Sequence, residues 1–150
     1  MEIAVDEFII DMFVTDNEKD RQIVEDLVSM IRRKCHRLVF DNRYVDRIHN
    51  KIKEIARHYR NDTYVSIMIN NRLRSLLSNS SKTVIRAGVG VKEIDEINDP
   101  NDRLVVMSAL SICSNEKLLI TTDSDILGRS EIFKKYGIRM VVPHEAISIL

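Results

Sequence analysis

Short apolar runs alternate along this chain with longer stretches in which apolar residues recur every three or four positions. Glu2 to Val5, Arg37 to Phe40 and Leu118 to Thr121 are runs of the first kind and read as short buried strands. Thr83 to Val91 reads as a further strand interrupted by Gly88 and Gly90, and Arg139 to Val142 as a last one ended by Pro143. Between them the period lengthens. Phe8 to Val14 continues apolar as a helix, and Asp16 and Asn17 are cap residues before a longer one from about Glu18 to Lys34 on Ile23, Leu27, Met30 and Ile31. From Asn42 to Arg60 the residues Val45, Ile48, Ile52, Ile55 and Tyr59 mark an amphipathic helix. Asp62 or Thr63 starts another, to about Ser78, with Val65, Met68, Ile69, Leu73, Leu76 and Leu77 inside. A helix near Ile126 to Tyr136 stops at Gly137. Helices alternating with short apolar strands predict one domain over residues 1–150, a three-layer α/β/α sandwich around a mainly parallel sheet.

One stretch carries more than pattern. Asp99 is a good helix cap, Pro100 fits the first helical position, and Asp102 falls in the first turn, where a carboxylate suits the helix dipole. Leu104, Val105, Ala109 and Ile112 form the apolar face, Ser114-Asn115 ends the helix, and a strand runs into Thr121, with Asp123 and Asp125 just beyond it. Open α/β sheets hold ligands outside the carboxyl ends of their strands. A helix start and a strand end there bring Asp102 and Asp123 to one edge.

Composition narrows the chemistry. The chain is 44% hydrophobic and 31% charged, which suits a folded protein. No apolar stretch is long enough to cross a bilayer, and the start, with Glu2 and Asp6, lacks the basic region of a signal peptide. Cys35 and Cys113 have no metal-ligand spacing and read as small buried hydrophobes, reduced in a cytoplasmic protein. The zero net charge hides a segregation. Residues 1–31 hold nine acids and two bases, residues 32–92 hold fifteen bases and four acids, and residues 93–150 hold ten acids and six bases. Such asymmetry fits a basic surface for a polyanion, with acids elsewhere for cations; solvated helix faces account for it equally well.

Asp6 after the first strand, Asp46 early in a helix, Asp102 and Asp123 form the candidate acid set. Each also has a plain structural reading: strand-end turn residues for Asp6 and Asp123, a surface ion pair for Asp46, a partner of the cap for Asp102. Four converging carboxylates repel unless a cation lies between them. Mg²⁺ or Mn²⁺ fits that role without His or Cys ligands. The four His lack paired spacing, and there is no nucleophile elbow or phosphate-binding loop; Gly88-Val89-Gly90 is too short for one. Acids plus a basic surface point to metal-assisted attack on a phosphodiester.

At these residues the chain resembles the PIN-domain family, known mostly as metal-dependent ribonucleases. The likeness lies in the helix led by Asp102, with its Asp99-Pro100-Asn101 opening, and in Leu119-Ile120-Thr121-Thr122-Asp123-Ser124-Asp125. Tyr136-Gly137-Ile138 through Val142-Pro143-His144-Glu145 resembles the family's last strand. The resemblance implies a Mg²⁺- or Mn²⁺-dependent endoribonuclease whose Asp6, Asp46, Asp102 and Asp123 surround the metal, with Thr121, Asp125 and Asp99 in support. Asp46 stands where the family more often has Glu, with Asp41 competing for that place, and Phe8 where it usually has Asn, Ser or Thr. Arg43, Arg47 and Lys53 are the candidates for holding RNA. The likeness to small members further implies the toxin of a toxin–antitoxin pair, an antitoxin partner and a homodimer. The alternatives are a PIN-like RNA binder without catalysis and an interaction protein whose acids only cap helices.

Overall fold

β1 (Glu2–Val5) lies at the middle of a five-stranded parallel sheet of order β3-β2-β1-β4-β5, in which β2 spans Arg37–Asp41, β3 Thr83–Arg86, β4 Lys117–Ile120 and β5 Ile138–Val141. The computed structural model describes all residues, 1–150. The three inner strands carry the near-continuous apolar runs Ile3-Ala4-Val5, Leu38-Val39-Phe40 and Leu118-Leu119-Ile120, all buried, because helices cover both faces. The two edge strands are mixed, with Ile85 and Arg139 exposed, as short edges beside solvent tolerate.

The chain leaves β1 toward one edge, through α1 (Phe8–Val14) and α2 (Glu18–Arg33) to β2, then through α3 (Asn42–His58) and a broken helical stretch to β3. It then crosses back under α6 (Pro100–Leu110) to β4 and continues outward through α7 (Ser124–Leu127) and α8 (Ser130–Lys134) to β5. Right-handed crossovers in opposite directions put their helices on opposite faces, which makes the three layers. Helix α6 packs across β1, β2 and β4, while α2 packs on α1 and on the terminal helix. Forty buried apolar side chains form one cluster, so both faces share a continuous core.

Several elements differ from the sequence reading. The stretch predicted as one helix to Ser78 is α4 (Thr63–Ile67), a π-helical turn Met68–Arg74 and α5 (Ser75–Leu77). Its six apolar residues are nevertheless all buried, because periodicity reports a face and not a hydrogen-bond pattern. The strand predicted to Val91 ends at Arg86, where the chain turns so that Gly88 can lie against Asp41; a Cβ there would stand 2.0 Å from Asp41 Oδ2. A short 3₁₀ turn, Lys92–Glu96, follows. The helix expected from Ile126 is two helices, the first capped by Asp123. Pro143 both closes β5 and opens α9 (Pro143–Ile149), a helix the sequence reading lacked. Cys35 and Cys113, expected to be buried, are exposed free thiols at chain turns outside the core. No helix is long and apolar enough to cross a membrane.

Candidate functional site

The direction in which successive strands are added to the sheet reverses between β1 and β4. Neighbouring strands there send their chains to opposite faces of the sheet, the switch point at whose carboxyl ends open α/β sheets form a ligand crevice. Val5 pairs with Ile120, so Asp6 and Thr121 emerge side by side, and the Asp6 N–H donates to the Ile120 carbonyl at 3.1 Å. The Thr121 hydroxyl donates to Asp6 Oδ2 at 2.9 Å and accepts the Asp123 N–H at 3.0 Å. It therefore ties the first acid to the loop that carries the last. On the other oxygen, Asp6 Oδ1 accepts the Tyr44 hydroxyl at 3.1 Å and the Glu7 N–H. Burial raises the Asp6 carboxyl above its usual range, against these three donors, which pull it down.

Asp123 caps α7 with Oδ1, taking the N–H groups of Asp125 and Ile126 at 2.7 and 3.0 Å. Asp99 caps α6 with Oδ1 on the Asn101 N–H at 2.7 Å. One turn on, Asp102 is half-buried at the start of the same helix. Burial, then the charges of Asp123, Asp99, Asp6 and Asp125, push its carboxyl up to about 6. Every leading influence disfavours its charged form, which is the condition a cation relieves. The fold thus gathers Asp6, Asp99, Asp102, Asp123 and Asp125 around one crevice, with Thr121 between them.

Asp46 is not among them. It lies exposed on α3, whose buried face carries Tyr44, Ile48 and Ile52, and it is not one of the charges acting on Asp102. Asp41, its competitor, is fully buried at the end of β2 and committed elsewhere. It caps α3 and takes Arg43 Nε and Nη2 at 3.0 Å each, while its own N–H donates to Ser108 Oγ at 2.7 Å. Burial raises the Asp41 carboxyl, but Arg43 outweighs it and leaves the group below its usual range. Phe8 is buried at the start of α1 and belongs to the core.

Of the three basic candidates, Arg43 is thus held by Asp41, and Arg47 is held by Glu7 through paired bonds of 3.0 and 2.9 Å. Arg47 also feels the charge of Asp99 and shares a surface hollow with Glu7, Lys51 and Asn101, beside the start of α6. Lys53 is exposed farther along α3, outside this group. Two members of the site were missed by sequence reasoning, Tyr44 and Glu7. Glu7 follows Asp6 directly, and Tyr44 is an aromatic residue at the start of an amphipathic helix, a place where a polar tip on an apolar ring finds a partner.

The donor chemistry suits a hard divalent ion, since the free oxygens are carboxylate oxygens of Asp102, Asp123 and Asp99. No three acidic, His or Cys side chains stand as a ready-made metal set. No family model, no curated protein and no solved structure matches the chain.

Proposed function

We propose that the chain is a PIN-like, Mg²⁺- or Mn²⁺-dependent endoribonuclease. The observation that carries this reading is the gathering of Asp102 with Asp6, Asp99, Asp123 and Asp125 at the sheet's switch point, where burial and these like charges raise the Asp102 carboxyl to about 6. Asp102 and Asp123 would hold the ion, with Asp6, Asp99 and Asp125 adding negative charge behind them. When bound, such an ion supplies a water of lowered pKa and neutralises charge on a phosphodiester. Thr121 and Tyr44 fix both oxygens of Asp6, so its charge keeps one position. Glu7 holds Arg47 beside the start of α6, where a guanidinium can meet a phosphate. The resemblance in the Asp102 helix and the Thr121-to-Asp125 run supports ribonuclease chemistry over other phosphodiester chemistry. It is also the ground for a cytoplasmic toxin, an antitoxin partner and a homodimer.

Asp123→Asn separates catalysis from capping. Asn caps a helix about as well as Asp, so as a cap alone the substitution should be nearly silent. On the proposed reading it removes a ligand charge at constant shape. The expected result is a near-normal melting temperature with Mn²⁺-dependent RNA cleavage reduced at least about 100-fold, close to 3 kcal/mol in the barrier. Cleavage by purified Asp123→Asn at the wild-type rate would overturn the assignment. The exposed place of Asp46 and the lack of a three-ligand set favour, as a second reading, an RNA binder without catalysis. Wild-type protein that binds RNA but leaves it intact with Mg²⁺ and Mn²⁺ would establish that one.

A further inference from the structure

Several arginines of the chain are already neutralised: Arg43 by Asp41, Arg47 by Glu7, Arg86 and Arg37 by Glu2, Arg72 by Glu25. The other flank of α3 is different. There a groove of about 410 Å³ runs between α3 and the end of α5, lined by His49, Ile52, Lys53, Arg74, Leu77 and Ser78. Lys53, Arg74 and His49 are exposed and none is in an ion pair, while no acid lines the groove. Ile52 and Leu77, both buried, make its floor. Arg74 closes the π-helical turn, a distortion that proteins keep disproportionately at functional positions. The Ser75 hydroxyl donates to the Asn71 and Arg72 carbonyls, and the Ser78 hydroxyl to the Arg74 carbonyl, so the wide turn is braced.

We propose that this groove binds the sugar–phosphate backbone of single-stranded RNA, with Lys53 and Arg74 on phosphates and the apolar floor under a ribose or base. His49 and Lys53 are one helical turn apart and face Arg74 across the groove, so the cations are spread along a path instead of focused on one point. Cations spaced along an apolar floor match a chain that alternates phosphates with flat-faced units, as single-stranded RNA does. Tyr44, which reaches Asp6, precedes Lys53 by nine residues on α3, about 14 Å along the helix axis. A strand of a few nucleotides covers that distance. The proposal rests on the reading of the chain as an RNA-acting protein and assigns to it a second contact, on the flank of α3 opposite Arg47.

The test uses the full chain, a fluorescent single-stranded RNA and a chelator, so that binding is read without cleavage. Lys53→Gln with Arg74→Gln should weaken binding at least about tenfold at low salt and lower the slope of log K against log salt by about 1.4, two contacts at about 0.7 each. Both side chains are exposed, and an unchanged melting curve shows that folding is intact. Wild-type affinity and slope in the double variant would overturn the groove alone. Displacement of the RNA by polyglutamate as readily as by unlabelled RNA would overturn the RNA assignment in favour of an acidic-peptide site. Absence of RNA binding by the wild type would overturn the groove and the ribonuclease reading together. Groove-dependent binding without cleavage under Mn²⁺ would keep the groove and remove only the nuclease.

Discussion

Asp102 gives the protein a pH dependence of unusual sign. An unfolded Asp titrates near about 3.9, whereas in the fold burial and four like charges raise Asp102 to about 6. Between those values the folded state binds more protons than the unfolded state, so this group's contribution to stability falls as pH rises from about 4 to about 6. Asp102→Asn should therefore match wild type below pH 4 and melt higher above pH 6, in chelator. Glu2, held down chiefly by Arg86, and Glu7, held down by Arg47 and Lys51 despite its burial, titrate with the opposite sign. The informative quantity is accordingly the difference between variant and wild type at each pH; a constant difference across the range would contradict the assignment. The placement of Asp102, Thr121 and Asp123 was legible because each is fixed by local sequence: a cap three residues back, or a strand that has just ended. Tyr44 and Glu7 were not, since their roles depend on how α3 docks beside β1, a contact 38 residues apart in the chain.

At the scale of elements, Gly88 is where α3, α6 and the segment after β3 are locked together. A methyl there would stand 2.0 Å from Asp41 Oδ2 and 3.0 Å from Met107 Cβ. The Asp41 carboxylate cannot move aside without leaving Arg43 and the first turn of α3. Gly88→Ala should cost about 1–3 kcal/mol in urea unfolding, and an unchanged midpoint would mean that the contact is slack. The sequence showed Gly88 only as an interruption in an apolar run, because the reason for it lies in another strand. Periodicity served the long helices better: α2 and α3 begin where Asn17 and Asp41-Asn42 cap or open them, and their apolar positions face the core. It could not separate α7 from α8, where Asp123 starts a four-residue helix that ends at Gly128. Nor did it find α9, whose signal was a proline that served equally well as a strand stop.

For the whole molecule, the crevice draws its charge from β1, α6 and the loop after β4, so a bound cation should tie the two halves of the sheet together. Mn²⁺ at a hundred times its dissociation constant should stabilise the wild type by about 2.7 kcal/mol, read as a rise in melting temperature. The combined Asp102→Asn, Asp123→Asn variant should lose that rise, and a wild type indifferent to millimolar Mn²⁺ would count against the site. The sheet order itself was not legible. The apolar runs mark which strands are buried, but pairing depends on where each crossover lands, and the return from β3 to β4 passes over two strands already laid down. That return has a consequence for synthesis. Thr121 and Asp6, whose side chains bond directly, are 115 residues apart in the chain. Chains emerge amino end first, so β1, β2 and β3 can assemble while β4 is still within the ribosome, leaving β1 as a temporary edge. On the proposed reading, hydrolytic competence arrives only once the segment from Lys117 to Asp125 has emerged and β4 has paired with β1.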